Sequence, residues 1–153
     1  TLFALGNKYL EKNMDHEALE TFEHVVKLKE RDAQARNNLA LLLIKRGEYD
    51  KAAEHLNIVL RQRPDLPYAH KNYADVMAFQ NKYAAALEHY RRAVYLKPNF
   101  IQAYENLGIV LMGLGRIDEA IESFNMAVRI NPHYVSVQQN LKEALKIKQT
   151  LYK

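Results

Sequence analysis

The sequence predicts an all-α fold: antiparallel helix pairs stacked along the chain with a 34-residue period, about four copies in all, closed by one further helix. Three observations carry that prediction. Asn38, Asn72, Asn106 and Asn140 recur every 34 residues, in the contexts NNLA, KNYA, ENLG and QNLK. Each copy holds two blocks of apolar residues at helical spacing, the mark of two amphipathic helices. Glycine or asparagine separates the blocks at Asn13, Gly47, Asn81 and Gly115, and proline closes three copies at Pro64, Pro98 and Pro132.

The copies are read as 1–32, 33–66, 67–100 and 101–134, in a single array over 1–153. In the first helix of each, Leu5, Leu39, Tyr73 and Leu107 form one column, continued by Leu141. Gly6, Ala40, Ala74 and Gly108 form the next, all small. The Gly or Asn that follows tolerates a left-handed backbone, which ends the first helix. The loop is short, so the two helices are antiparallel neighbours. The second helix carries a constant alanine (Ala18, Ala52, Ala86, Ala120) and a bulky residue (Phe22, Leu56, Tyr90, Phe124). The small columns let the backbones approach, and a larger side chain there would overpack by about 1–3 kcal/mol. Proline lacks the amide and clashes with the preceding turn, so it is expected to stop the second helix. One pair cannot bury its own apolar face, whereas stacked pairs can.

The segment 135–151 continues the first-helix pattern through Val137, Leu141 and Leu145, with no second helix after it. Gln138 and Lys142 stand in place of the large apolar and small residues of the copy at 101–134, Tyr104 and Gly108. The segment is expected to be a capping helix whose polar outer face keeps the end of the array soluble. Thr1 starts part-way into a repeat with no Met before it, so the sequence reads as a piece of a longer chain with an uncapped N-terminal edge.

These columns resemble the tetratricopeptide repeat family, whose 34-residue motif runs Trp-x2-Leu-Gly-x2-Tyr, then Ala, Phe, Ala and Pro. The copy at 101–134 carries Tyr104, Leu107, Gly108, Leu111, Gly115, Ala120, Phe124, Ala127 and Pro132. The resemblance covers 1–134. It departs at the opening aromatic, which is Leu2, Arg36 and His70 in the first three copies, and at Glu30 in place of the first closing proline. It implies a right-handed superhelical solenoid whose first helices line a concave groove. It also implies a non-catalytic scaffold for protein–protein interaction.

In that implied groove the candidate peptide-binding residues are Asn38, Asn72, Asn106 and Asn140, with Leu41, Ile44, Tyr68, Lys71, Asp75, Phe79, Ile109 and Met112. A carboxamide presents an acceptor and a donor side by side, matching the groups of a peptide backbone. A row of them suits an extended peptide, and the resemblance extends to the asparagine rows of the solenoids attached to O-linked glycosyltransferases. The other reading of the row is structural, each amide bonding a neighbour and setting the angle between repeats. Leu41, Ile44, Phe79, Ile109 and Met112 lie outside the main packing columns. They either mark a binding surface or complete the packing between repeats.

The expected partner is a protein, held as an extended peptide or a helix. Two alternatives stand beside it. One is end-to-end self-assembly into homo-oligomers through the uncapped edge. The other is a substrate-presenting arm of a larger glycosyltransferase. Chaperone-tail capture is not expected. Asn7 and Asn38 match that subtype's asparagines, but Phe3, Tyr68 and Asn72 stand where its cations belong, and a carboxylate buried without cations is unfavourable.

Composition narrows the remaining classes. The 153 residues include no cysteine, which excludes disulfides, thiolate zinc sites and cysteine nucleophiles. No apolar run approaches the ~18 residues that cross a bilayer, so no membrane insertion is expected. The absence of cysteine leaves the compartment open. His55 and His89 share a column expected on an exposed convex face, too few ligands for a metal. His16 and His24 show no partner at i+3 or i+4. There is no phosphate loop and no local signature of a catalytic triad. No catalytic residue, metal or cofactor is expected. The net charge of +4 owes much to Lys142, Lys146, Lys148 and Lys153. The groove sets Lys45 and Lys71 against Glu11, Asp75, Glu105 and Glu143, the wrong balance for nucleic acid.

Overall fold

A computed structural model of the chain describes residues 1–152. Among the described residues there are nine helices and no strand, so the fold is all-α. The chain divides into two compact units, one spanning Thr1–Val76 and one beginning at Met77, and the boundary falls inside α5 (Pro67–Phe79).

The first unit holds α1 (Leu2–Glu11), α2 (Asp15–Leu28), α3 (Ala33–Lys45), α4 (Tyr49–Gln62) and the start of α5. Helix α2 packs against α1 and α3, and α3 packs against α4. Phe22 is fully buried and meets Phe3 edge-on, with ring centroids 5.8 Å apart. A Cβ on Gly6 would stand 2.8 Å from Phe22 Cζ, so the small column is a steric requirement. The second unit holds the rest of α5, then α6 (Tyr83–Leu96), α7 (Ile101–Gly113), α8 (Ile117–Ile130) and α9 (Val135–Leu151). Helix α7 packs between α6 and α8, and α9 lies against α8 and touches α7. Its core is built on Tyr90, Phe124, Leu111 and Val137.

Every pair turns in the same way. Asn13, Gly47, Asn81 and Gly115 have φ of 55, 75, 59 and 74°. The next amide then reaches back over the turn: Met14 to the Tyr9 carbonyl at 2.9 Å, Glu48 to Leu43 at 2.9 Å, Lys82 to Met77 at 2.8 Å, and Arg116 to Leu111 at 2.9 Å. This Schellman motif satisfies carbonyls that the helix end leaves without partners. Only Gly and Asn enter that backbone region at low cost.

Proline, by contrast, is not what stops the second helices. Helix α2 ends at Leu28 with Glu30 in the proline column, and its cap residue Lys29 adopts φ −133 and ψ 79°. Arg63, Lys97 and Asn131, which precede the prolines, adopt φ of −136, −134 and −140° and ψ of 75, 88 and 99°. In each case the cap carbonyl accepts from the amide three residues on, as with Asp32 on Lys29 at 3.0 Å and Phe100 on Lys97 at 3.1 Å. The connection is a β-turn. Proline fits its second position and favours an extended residue before it, so it reinforces a stop that forms without it.

Three residues in the column of the family's opening aromatic, Arg36, His70 and Gln138, share a second task. Arg36 Nε donates to the Glu30 carbonyl at 2.7 Å, and His70 Nε2 lies 3.0 Å from the Pro64 carbonyl. Gln138 Nε2 donates to the Pro132 carbonyl. A carbonyl only accepts, so His70 carries its proton on Nε2. Each bond spans six residues and ties the start of a first helix to the preceding turn.

Candidate functional site

The asparagine column lies on the odd-numbered helices, and the amides of Asn38, Asn72 and Asn140 each point to the preceding odd helix of their own unit. In the first unit, Asn38 Nδ2 on α3 donates to Asn7 Oδ1 on α1 at 3.1 Å. Asn72 Nδ2 on α5 donates to Asn37 Oδ1 on α3, also at 3.1 Å. In the second unit, Asn140 Nδ2 on α9 donates to Glu105 Oε1 on α7 at 3.2 Å. Asn7, Asn37 and Glu105, none of them among the candidate binding residues, are the acceptors. For two of them the sequence carries a signal, a polar residue just before an asparagine and 35 positions upstream of the next, as in Asn37–Asn72 and Glu105–Asn140; Asn7 lies 31 positions before Asn38 and carries none.

The ladder uses one amide hydrogen of each donor. A carboxamide has two N–H groups and an oxygen with two lone pairs, so capacity remains wherever the group meets solvent. Asn38, Asn106 and Asn140 are half-buried. Asn72 is only 5% exposed and presents almost nothing to a ligand. The row is therefore not uniform.

The charged candidates are engaged with each other. Lys71 Nζ lies 2.7 Å from Asp75 Oδ2, one turn along α5, and both side chains are largely covered. Lys71 stands in the column of Asn37 and Glu105, and its ammonium only donates. Among the apolar candidates, Leu41, Ile44 and Met112 are half-buried. Tyr68, Phe79 and Ile109 stay exposed, at 51, 58 and 44%. On α7, Asn106, Ile109 and Gly113 fall at i, i+3 and i+7 and share one face. A Cβ on Gly113 would meet nothing within 4 Å. That stripe offers an amide, an open apolar contact and a bare stretch of helix that another backbone can approach.

The histidines differ from expectation. His55 and His89 are half-buried, not on an exposed face. Arg36 Nη1 lies 3.1 Å from His55 Nδ1. Arginine can only donate, so His55 Nδ1 accepts and the ring is neutral. Burial and then the Arg36 charge push the His55 pKa down from 6.5. His16 does have a partner at i+4: its Nε2 lies 3.5 Å from Glu20 Oε1, in an exposed pair. Among the described residues, no helix is long and apolar enough to cross a membrane.

Family models described as tetratricopeptide repeat match residues 3–67 and 101–134, and one described as TPR repeat matches 74–115. No curated protein matches the chain. Solved structures resemble it at low identity. A structure of MamA from residue 41 to its end, from Desulfovibrio magneticus RS-1, has TM-score 0.84 at 22% identity, covering 97% of this chain and 84% of that one. A crystal structure of MamA has TM-score 0.83 at 22% identity, with coverages of 94 and 84%. A structure from the functional characterisation of Pseudomonas aeruginosa PilF has TM-score 0.87 at 22% identity, with coverages of 97 and 68%. The likeness is one of fold class, an all-α helical solenoid.

Proposed function

We propose that this chain, which carries tetratricopeptide repeats, is a non-catalytic scaffold that holds an extended peptide or short helix of a partner protein on its odd-numbered helices. The stripe of Asn106, Ile109 and Gly113 on α7 is the observation that supports this most. An exposed Ile beside a half-buried amide supplies apolar contact and a backbone hydrogen bond together, and Gly113 leaves room for a main chain. Met112 on α7 and Asn140 on α9 extend that surface in the second unit. Asn38, Leu41, Ile44, Tyr68, Lys71 and Asp75 are its counterparts in the first, Asn72 acts there through its bond to Asn37, and Phe79 ends α5.

The test selects peptides from a random library on the immobilised chain, then measures their affinity for Ile109→Ser, Asn106→Ala and Gly113→Leu. Affinity should fall about tenfold or more for Ile109→Ser, a loss of roughly 1.4 kcal/mol, with the melting temperature little changed. If Asn106→Ala lowers the melting temperature and none of the three changes affinity, the column is structural only and the proposal fails.

A second reading is end-to-end self-assembly. Leu5 is 39% exposed, whereas Leu39 and Leu107 in the same column are 2 and 5% exposed, so α1 presents an uncovered packing face. Light scattering across concentration tests it, and a strict monomer at high concentration rejects it. The asparagine column also fits a substrate-presenting arm of a larger glycosyltransferase.

A further inference from the structure

We infer that the slot between α8 and α9 is a second docking site, and that its occupant is an acidic amphipathic helix. The slot is a groove of ≈ 520 Å³ in the second unit. Val128 on α8 and Leu141 and Leu145 on α9 form its floor, and Lys142 and Lys146 stand on its α9 side. Leu141 and Leu145 hold the register of Leu107 and Leu111 on α7. Those two leucines are buried and α7 packs against α8, whereas Leu145 is 43% exposed. Among the described residues, helix α9 therefore carries the face of a first helix with no second helix packed on it. The outer face expected of a cap is only partly polar: Gln138 lines the groove and bonds to the Pro132 carbonyl, Leu141 is half-buried and Leu145 is exposed.

Charge selects the occupant. Neither Lys142 nor Lys146 makes an ion pair among the described residues, while Lys148 is paired with Asp118 at 2.7 Å. The acid on this helix, Glu143, lies outside the groove lining. Lys142 and Lys146 are one turn apart, about 6 Å along the axis. Lys142 also stands in the column of Gly108, where the chain needs a glycine to admit Phe124. A helix with a bulky residue at that place collides with Lys142, whereas one with a carboxylate there pairs with it. The occupant is a helix of three to four turns lying along α9, with a leucine-type stripe flanked by acids one turn apart. This site is separate from the α7 stripe.

The experiment uses a stapled, fluorescein-labelled 16-residue amphipathic helix with a leucine stripe flanked by glutamates, and a twin with lysines in their place. Anisotropy is read on the whole chain, on Leu145→Gln, on the Lys142→Glu/Lys146→Glu double variant and on Ile109→Ser, with circular dichroism confirming that each is folded. The acidic probe should bind at least tenfold tighter than the basic one. Charge reversal should exchange that preference, Leu145→Gln should weaken binding at least tenfold, and Ile109→Ser should leave it unchanged. Equal affinity for the two probes, or no saturation up to millimolar probe, overturns the inference. So does a concentration-dependent dimer, seen by sedimentation, that Leu145→Gln abolishes, since the slot would then belong to a second copy.

Discussion

A Cβ placed on Gly108 would stand 2.5 Å from Phe124 Cε1, closer than any real side chain lies. The two residues face each other across the α7–α8 pair, and Gly6 and Phe22 repeat the relation across α1 and α2. Where the small column holds alanine at Ala40, the bulky column of the same copy holds Leu56, and both are fully buried. Gly108→Ala should therefore destabilise the chain by about 1–3 kcal/mol, although alanine is the better helix former by about 1 kcal/mol. Adding Phe124→Leu, which recreates the pairing of the second copy, should recover part of that loss. Urea unfolding of the two single variants and the double variant reads the coupling; additive effects would reject the contact.

The left-handed turns make a separate prediction. Asn13 and Asn81 have φ of 55 and 59°. Asn81→Gly should be neutral or stabilising, and Asn81→Ala should cost about 1 kcal/mol. Gly115→Ala, at φ 74°, should cost as much despite open space around its Cβ. Thermal melts of the three variants check the ranking.

Asn72 and Asn37 should behave as a unit. Asn72→Ala removes the donor and leaves Asn37 Oδ1 without its 3.1 Å partner. The expected loss is about 1–2 kcal/mol, for a hydrogen bond between partly buried neutral groups. Asn37→Ala should then cost less in the Asn72→Ala background than alone, as a double-mutant cycle measures.

His55 makes stability depend on pH. Its folded pKa is lowered from 6.5, chiefly by burial and then by Arg36, with Glu54 and Glu23 pulling weakly the other way. Above pH 6.5 neither the folded nor the unfolded chain holds this proton, and the group contributes nothing. As the pH falls below 6.5 the unfolded chain binds it first, so stability drops, levelling off below the folded value. His55→Gln should flatten this part of the stability–pH curve; an unchanged slope would show that the ring does not titrate as its surroundings imply.

Legibility followed the range of each constraint. The turns were readable because a positive φ restricts the residue to Gly or Asn at one position. The proline column is a weaker guide: Lys29 adopts the same cap conformation before Glu30, so proline favours this turn without causing it. The substitutions at Arg36, His70 and Gln138 looked like departures from a motif. Their shared bond to a turn carbonyl six residues back is invisible until the turn and the helix start are placed together.

By itself, the sequence determined that the chain is helical, that it repeats every 34 residues and where each pair turns, because spacing and local backbone limits leave their mark residue by residue. Only the tertiary structure decided that Asn38, Asn72 and Asn140 bond to Asn7, Asn37 and Glu105. It also decided that His55 meets Arg36 and that Leu145 is left uncovered. These outcomes depend on the distance and rotation between helices from different copies, which packing sets and which no period along the chain records.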